Sequence, residues 1–300
     1  EFVAHSSKVT CLKLSQKNPH LLATGGQDMK VNLWSLDSAN CQMVMSGHES
    51  PLQSLSFHKS GTKLGGGCKK GVFKIWDLQN AKLTHTFSNH KSTLNCIEFH
   101  DFGDFVATGS ADQQIKLWDL KRKGSIMTYK GHSSAVTCIS FSPDGRWMAS
   151  GDDDGVVKIW NMATHKQLCQ FDDHKQSINC IKFHPIELLM ITSSADCSMK
   201  IWDMDEKKLL ASIKIDDSEG PIRLAMFDAD GSKLFSLTTK HLRIHGWEPT
   251  HCFATVDINH QNTNHAILSN NQMVNYSQIF SYNLLLKIIA LLVVSQKIFK

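Results

Sequence analysis

A tryptophan recurs every 42 residues through two thirds of this 300-residue chain. Each one closes a phrase of similar form, which reads VATGSADQQIKLWDL in the third copy. A fixed period of this length is typical of repeat architectures, in which every unit follows the same backbone path. We therefore expect a series of similar units. The five tryptophans are Trp34, Trp76, Trp118, Trp160 and Trp202.

Each unit divides into short alternating runs that turn residues separate. The fourth unit contains VTCISF, RWMASG, VVKIWNM and KQLCQF, with turns at SPDG and at Asp153-Asp154-Gly155. Alternation of period two, with a turn every 8 to 12 residues or so, indicates all-β structure. Four-strand units with a period of about 40–45 residues match the blades of a β-propeller. These features resemble the WD-repeat family.

The repeats assign residues 1–250 to six units, although the sixth is weaker and has His245 near the expected tryptophan position. Members of the resembled family form seven-bladed rings, so the resemblance implies an all-β propeller of seven blades. Residues 251–300 are then expected to supply the outer strand of blade six, at 251–257, and a degenerate seventh blade or a divergent tail. Inner strands of that seventh blade are predicted at residues 265–269, 272–277 and 281–286.

The two ends of the chain carry further expectations. Residues 1–4 are expected to close the ring as the outer strand of the last blade, which would remove exposed sheet edges. The apolar segment 284–294, LLLKIIALLVV, is shorter than the roughly 17–25 residues that a membrane span needs. It is interpreted as buried strands or, alternatively, as a free apolar tail. No membrane partner is expected.

Each full unit carries a histidine, a serine or threonine, an aspartate and a tryptophan at fixed offsets, a set that we call a tetrad. Ser, His and Asp also make up hydrolase triads, but an enzyme needs one such site and this chain has four copies. In the WD-repeat family the matching residues form a hydrogen-bonded network inside each blade, so we interpret the tetrads as structural. The four sets are His5, Thr24, Asp28 and Trp34; His90, Thr108, Asp112 and Trp118; His132, Ser150, Asp154 and Trp160; and His174, Thr192, Asp196 and Trp202.

The second unit departs from the tetrad pattern. Gly66 occupies its Ser/Thr position and Lys70 its Asp position. Two interpretations stay open: a decayed repeat, or a basic protrusion of Lys69 and Lys70 on a face used for contacts. A second basic cluster, Lys121, Arg122 and Lys123, follows the third tryptophan.

Composition excludes several classes of function. A net charge of +4 is too small to indicate a nucleic-acid partner. None of the nine cysteines has CxxC spacing, and Cys96, Cys138 and Cys180 follow the repeat as small strand residues. No phosphate-binding Gly-Lys-Ser/Thr loop is present. The sequence therefore predicts no cofactor, no metal site, no catalytic residues and a reducing compartment.

Four local phrases narrow the resemblance. EFVAHSSKVTCL, TGGQDMKVNLWSL, LWDLKRKGSIMTYKGH and the GWEP at 246–249 together resemble the amino-terminal propeller of the non-catalytic 80-kDa regulatory subunits of katanins. This resemblance implies a microtubule-severing complex whose ATPase is a separate subunit. It also implies that the propeller directs that complex to microtubules and to centrosomes or spindle poles, on the cytoplasmic cytoskeleton. In that family a helical carboxy-terminal domain binds the ATPase subunit, and we find no sign of such a domain in this sequence.

Two partner hypotheses follow. Lys69, Lys70 and the cluster at 121–123 are candidates for contact with the acidic tails of tubulin. Alternatively, Trp118-Asp119-Leu120-Lys121 resembles the box through which some WD-repeat proteins dock as substrate receptors of cullin-type ubiquitin ligases, with lysine in place of the usual arginine.

Overall fold

The computed structural model describes residues 5–257 apart from residues 19, 36–39, 123, 229 and 247–251. This part of the chain contains β-strands and one short 3₁₀ turn at Asp217–Glu219, and no α-helix. The strands form six antiparallel sheets, and each sheet is built from four strands that are consecutive in sequence. Two compact units divide these residues, one up to Val136 and the other from Thr137 onward.

The first unit holds the first three sheets, which we call blades 1 to 3. Blade 1 contains β1 (Val9–Leu14), β2 (Leu21–Gly26), β3 (Val31–Ser35) and β4 (Asn40–Met45). Blade 2 contains β5 (Leu52–Phe57), β6 (Lys63–Cys68), β7 (Phe73–Asp77) and β8 (Lys82–Phe87). Blade 3 contains β9 (Leu94–Phe99), β10 (Phe105–Ser110), β11 (Ile115–Asp119) and β12 (Gly124–Tyr129).

The second unit holds blades 4 to 6. Blade 4 contains β13 (Val136–Phe141), whose first residue belongs to the first unit, β14 (Trp147–Asp152), β15 (Val157–Asn161) and β16 (Gln167–Phe171). Blade 5 contains β17 (Ile178–Phe183), β18 (Leu189–Ser194), β19 (Ser198–Asp203) and β20 (Lys208–Lys214). Blade 6 contains β21 (Leu224–Phe227), β22 (Leu234–Leu237), β23 (His241–His245) and β24 (Cys252–Asp257).

Apolar side chains between neighbouring blades make the core of each unit. In the first unit Val31 and Leu33 of blade 1 pack with Leu52 and Leu64 of blade 2. In the second unit residues of blades 4 and 5 form a comparable cluster around Trp202. Full burial of such a side chain contributes about 1.5–3 kcal/mol relative to leaving it exposed. In blades 1, 2 and 5 the fourth strand lies at the edge of its sheet, and most of its side chains are exposed.

The prediction of seven blades is wrong, because the described residues form six. β24 pairs with β23 as the fourth strand of the sixth sheet, so each of the six repeats completes its own blade. The seventh blade had been inferred from the family resemblance, whereas the sequence period itself supplies six units. The strands predicted between residues 265 and 286, the apolar segment 284–294 and the closing segment 1–4 all lie outside the described residues.

The turn between the second and third strands has the same unusual conformation in blades 1 to 5. One residue in each of these turns has a positive φ, a region that side chains other than glycine rarely adopt. In blade 2 this residue is Gly71, and a Cβ atom there would lie 2.6 Å from the carbonyl oxygen of His90. The five residues are Met29, Gly71, Gln113, Gly155 and Cys197.

Candidate functional site

The tetrad of blade 3 is a continuous chain of hydrogen bonds from a buried indole to an exposed turn. Trp118 Nε1 donates to Thr108 Oγ1 at 2.8 Å, and the same oxygen lies 2.8 Å from His90 Nε2. His90 Nδ1 lies 2.9 Å from Asp112 Oδ2, which also accepts the backbone N–H of Lys91 at 3.0 Å. If His90 carries its proton on Nδ1, every group in this chain is satisfied. The tetrad therefore ties the β10–β11 turn to the loop that precedes β9.

Blades 1 and 5 repeat this arrangement with nearly the same distances. The indole-to-threonine bonds of Trp34 and Trp202 are each 2.9 Å, and the histidine-to-threonine distances are 2.9 and 2.8 Å. The imidazole-to-aspartate distances are 2.9 Å in blade 1 and 3.1 Å in blade 5. In blade 5 Ser198 Oγ adds a hydrogen bond of 2.6 Å to Asp196.

The protonation states of these groups suit a fixed network. Burial lowers the pKa of His90 and of His174, although each histidine has a carboxylate beside it. Burial alone would raise the pKa of Asp196, but hydrogen bonds from Ser198 and from the Lys175 backbone outweigh it and lower the pKa to about 2. The aspartate is thus ionised and the imidazole neutral at pH 7.

The hydroxyl groups of the tetrads have no access to a substrate. Thr108, Ser150 and Thr192 each have 0% of their surface exposed. A nucleophilic hydroxyl must reach the carbon that it attacks, within about 3–3.5 Å. This geometry suits a structural tie inside a blade and does not suit nucleophilic catalysis.

In blade 4 the tryptophan and the serine of the predicted tetrad are in direct contact. Trp160 Nε1 donates to Ser150 Oγ at 2.8 Å, and His132 is buried. Asp154 is exposed, and its backbone N–H donates to the carboxylate of Asp152 at 3.2 Å. Asp152, which the sequence had not singled out, is fully buried and also accepts the backbone N–H of Val156 at 2.9 Å. The role of Asp154 in the tetrad stays a prediction.

Blade 2 lacks the hydrogen-bonded tetrad, as expected from Gly66 and Lys70 at its Ser/Thr and Asp positions. Trp76 is buried, but its ring lies where a threonine would begin, since a Cβ atom on Gly66 would be 2.9 Å from Trp76 Cζ3. His48 is also buried and packs against Trp76 with ring centroids 5.4 Å apart. Neither ring nitrogen of His48 has a hydrogen-bond partner in the described structure. Burial, and then the nearby ammonium group of Lys74, lower the pKa of His48 to about 4.

Blade 6 replaces the tetrad with different polar contacts, which the sequence indicated only in part. His245 takes the place of the tryptophan, and its Nε2 lies 3.0 Å from Ser236 Oγ. Arg243 forms an ion pair with Glu219, which belongs to the 3₁₀ turn, and His241 Nδ1 lies 3.2 Å from the other oxygen of that carboxylate. The sequence signal for part of this was the histidine at the tryptophan position. The ion pair joins residues 24 apart and had no periodic signal.

The two basic clusters lie at opposite ends of their blades. Lys69 and Lys70 form the β6–β7 turn, where Lys70 Nζ lies 3.6 Å from Glu49. Lys121 and Arg122 lie in the β11–β12 turn, where they approach Asp104 and Asp119 at 3.6 and 3.8 Å. Lys123 lies outside the described residues. Because the β2–β3 type of turn and the β3–β4 type of turn leave a sheet at opposite ends, one flat partner surface does not cover both clusters.

The described residues contain no cluster of three or more His, Cys, Asp or Glu side chains that could hold a metal ion. None of the nine cysteines is in a disulfide, and burial raises the pKa of the thiols of Cys11 and Cys138 to about 12. Over the same part of the chain, no helix is both long enough and apolar enough to cross a membrane. Trp118 and Leu120 of the ubiquitin-ligase box are buried, so that segment exposes little beyond Lys121.

Two models of known protein families match parts of this chain. A family model described as the second β-propeller of echinoderm microtubule-associated protein matches residues 9–176, which are more than half of the chain. The chain belongs to this β-propeller family. The model of the WD domain, or G-β repeat, matches residues 165–203, a stretch that runs from the end of blade 4 to the last residue of β19.

Several katanin subunits are similar to parts of this propeller. The katanin p80 WD40 repeat-containing subunit B1 of Gallus gallus is 51% identical over 55 residues, which are 18% of this chain and 8% of that protein. A homologue of this subunit in Arabidopsis thaliana is 42% identical over 71 residues, which are 24% of this chain and 8% of that protein. The Danio rerio subunit is 41% identical over 71 residues, 24% of this chain and 10% of that protein. The chain thus spans a tenth or less of these curated relatives, and the predicted resemblance to katanin p80 WD40 subunits is confirmed.

Proposed function

We propose that this propeller is a non-catalytic targeting and scaffold subunit of a katanin-type microtubule-severing complex. In this role it directs the ATPase subunit to microtubules and to centrosomes or spindle poles. The observation that carries the proposal is the similarity to katanin p80 WD40 subunits, at 51% identity over 55 residues for the Gallus gallus protein. The matching family model, which is named for a microtubule-associated protein, supports the same role.

The chemistry of the blades supports binding over catalysis. The repeated hydroxyl groups are buried and their histidines are engaged inside the blades, so the tetrads position loops and leave the surface to partners. Contact then depends on exposed side chains that the blades hold in place. Function in this fold resides in such surface sites and not in the scaffold itself.

The β11–β12 turn is the proposed contact with acidic tubulin tails. The side chains of Lys121 and Arg122 are 78% and 83% exposed. Exposed ion pairs such as those with Asp104 and Asp119 contribute only about 0–1 kcal/mol, so an acidic partner can replace them. Such contacts weaken with ionic strength, because the Debye length falls to about 8 Å at physiological salt.

The test is co-sedimentation of the purified chain with polymerised microtubules at low ionic strength. We expect the wild-type chain to sediment with microtubules, and the triple variant K121Q/R122Q/K123Q to sediment several-fold less. The control variant K207Q/K208Q changes two lysines at the β19–β20 turn of blade 5, the equivalent turn of another blade, and is expected to behave as the wild type. Failure of the wild-type chain to sediment at any low salt concentration would contradict the proposal.

A further inference from the structure

One end of blades 1 to 3 is built from two kinds of loop: those that precede each first strand and those that join each second strand to the third. In a four-stranded antiparallel sheet these loops leave the sheet at the same end. Backbone hydrogen bonds hold them together within a blade, since Gln27 N donates to Lys8 O at 2.9 Å and Ala111 N donates to Thr93 O at 2.9 Å. Each blade therefore presents a double loop at this end.

Side-chain hydrogen bonds connect the double loops of neighbouring blades in the first unit. Thr93 Oγ1, in the loop before β9, donates to the carbonyl oxygen of Lys69 in the β6–β7 turn at 3.2 Å. Gln113 Nε2, in the β10–β11 turn, donates to the carbonyl oxygen of Ser133 at 2.8 Å. At this end, the loops of blades 2 and 3 and the loop that holds Ser133 are therefore joined side by side by hydrogen bonds.

The charge on this surface is strongly biased toward lysine. Of its carboxylates, Asp28 and Asp112 are turned inward to the tetrad histidines, and Glu49 lies 3.6 Å from Lys70. The other lysines of these loops have no carboxylate of the described residues within 4.0 Å of their ammonium groups. We call this surface the lysine edge, and its exposed lysines are Lys8, Lys30, Lys69, Lys70, Lys91 and Lys130.

The opposite end of the same blades does not share this bias. There Lys59 pairs with Asp101 at 3.5 Å, and Lys63 and Lys121 both pair with Asp104, at 3.2 and 3.6 Å. Arg122 also lies 3.8 Å from Asp119, so four cations at that end have a carboxylate beside them. Exposed lysines occur at both ends of the first unit, but among the described residues ion pairs of lysine and arginine are more frequent at that end than at the lysine edge, where Lys70 pairs with Glu49.

Nor is a basic edge a general consequence of the repeat. In blades 4 and 5 the equivalent loops carry exposed aspartates, and one of them, Asp153, stands at the position that Lys69 occupies in blade 2. The backbone of the repeat is the same, so the difference in charge comes from exposed side chains that the fold does not constrain. These aspartates are Asp153, Asp154, Asp172 and Asp173.

The side chains of the lysine edge indicate which anion it suits. All of its exposed cations are lysines, which act as single point charges, whereas planar arginine is the residue that grips phosphate with two parallel hydrogen bonds. Its loops contain no Phe, Tyr or Trp on which a nucleic-acid base could stack. We propose that the lysine edge of blades 1 to 3 is a docking surface for an extended acidic segment of a partner protein, rich in glutamate or aspartate. The inference goes beyond the proposed function, since it concerns the end of the blades opposite to the β11–β12 turn and any protein that carries such a segment.

The test measures binding of a fluorescein-labelled octaglutamate peptide to the full chain by fluorescence anisotropy. The edge variant K69Q/K91Q/K130Q is expected to bind about tenfold more weakly than the wild type, as the loss of three exposed charge contacts implies. The matched variant K17Q/K59Q/K82Q removes the same number of exposed lysine charges from the opposite end, away from the β11–β12 turn, and is expected to change the affinity less than twofold. Circular dichroism checks that both variants are folded.

The outcomes separate this inference from other readings of the same charge. Equal weakening in the two triple variants, or no peptide binding by the wild type, would overturn it. Binding of a labelled oligothymidylate of equal charge as tightly as the peptide would also overturn it, because the surface would then be a general polyanion site. So would sedimentation velocity that shows a dimer dissociated by the edge variant, which would make a second copy the occupant. The two tests change different residues, so failure of the edge variant to lose peptide binding and failure of the 121–123 variant to lose sedimentation are distinguishable.

Discussion

Blade 2 and blade 3 have the same strand pairing but different polar interiors. Their second and third strands share a register, so that Leu64 pairs with Trp76 as Val106 pairs with Trp118. Both tryptophans are buried. Blade 3 links its tryptophan to a threonine, a histidine and an aspartate, whereas blade 2 has a buried His48 without hydrogen-bond partners in the described structure.

The hydrogen bond between the two loops of a blade also has its donor and acceptor exchanged between blades 2 and 3. In blade 3 the turn supplies the acceptor, since the Asp112 carboxylate receives the backbone N–H of Lys91. In blade 2 the loop supplies it, since Ser50 Oγ receives the backbone N–H of Lys70 at 3.1 Å. Backbone pairing and apolar burial therefore suffice to build a blade, and the tetrad is an additional lock. Where the lock is absent, the aspartate position is free to carry an exposed lysine.

The largest effect is expected from breaking the lock of blade 3. T108V keeps the shape of the side chain but leaves both Trp118 Nε1 and His90 Nε2 buried without partners. We expect the free energy of unfolding to fall by about 3 kcal/mol, because each unsatisfied buried group costs roughly 1–3 kcal/mol. Urea denaturation measures it. The control T164V alters an exposed threonine and should change the value by less than about 0.5 kcal/mol; equal losses in the two variants would refute a stabilising role for the tetrad.

The next effect concerns acid sensitivity in blade 2. The pKa of His48 falls from an ordinary value of 6.5 to about 4 on folding. Its neutral form therefore contributes stability that is fully present above pH 6.5 and is lost as the pH falls toward 4. We expect the wild type to lose about 2 kcal/mol more unfolding free energy than H48F between about pH 7 and pH 4.5. Urea titrations at both pH values measure the difference, and identical losses in the two proteins would contradict the assignment.

The repeat made most of the fold predictable from the sequence. Strand positions follow from alternation, as for the second strand predicted at RWMASG and observed at Trp147–Asp152. The tetrads of blades 1, 3 and 5 have similar geometry because the spacing from threonine to tryptophan is the same in all three and gives the same register. The number of blades was predicted wrongly, because the seventh was taken from a family resemblance over a segment that has no period, whereas the period itself supplies the six that are observed.

Features outside the period could not be anticipated for a physical reason. The ion pair of Glu219 with Arg243 depends on which loop faces which strand in blade 6, and neither residue repeats in another unit. The two basic clusters looked equivalent in sequence, but strand order alone decides that Lys69 and Lys121 belong to opposite ends of their blades. The charge of a segment can be read from its sequence, but the end of the blade on which that segment lies can be assigned only when the strand order is known.

A smaller effect on stability is expected at the turn between the second and third strands, which has the same conformation in both blades. A Cβ atom at Gly71 would lie 2.6 Å from His90 O and 2.7 Å from Ser92 O, at a φ of 77°. G71A is therefore expected to lower the unfolding free energy by about 2 kcal/mol. At the equivalent position of blade 3, Q113G should change it by less than about 1 kcal/mol, because relief of the positive φ offsets the lost hydrogen bond to Ser133. Thermal and urea unfolding of both variants compare the positions, and a harmless G71A would show that the blade 2 loops can separate.

The smallest effect is the coupling free energy between two substitutions, G66T and K70D, that would restore the tetrad in blade 2. G66T alone places a Cβ atom 2.9 Å from Trp76 Cζ3 and should destabilise the blade, while K70D alone gives His48 a carboxylate but no hydroxyl. Together they supply both partners of the imidazole, so the double variant should be more stable than the sum of the single changes by about 1 kcal/mol. A double-mutant cycle in urea measures this coupling.

The reverse exchange, T108G/D112K, is the matched control because it gives blade 3 the pattern of blade 2. If the tetrad acts as a unit, its two single changes should each cost nearly as much as both together, since the second change removes a lock that is already broken. Additive energies in both blades, to within about 0.5 kcal/mol, would mean that the four residues contribute independently. In that case the loss of the network in blade 2 would have to be explained by the packing of Trp76 against Gly66 and not by the missing partners of His48.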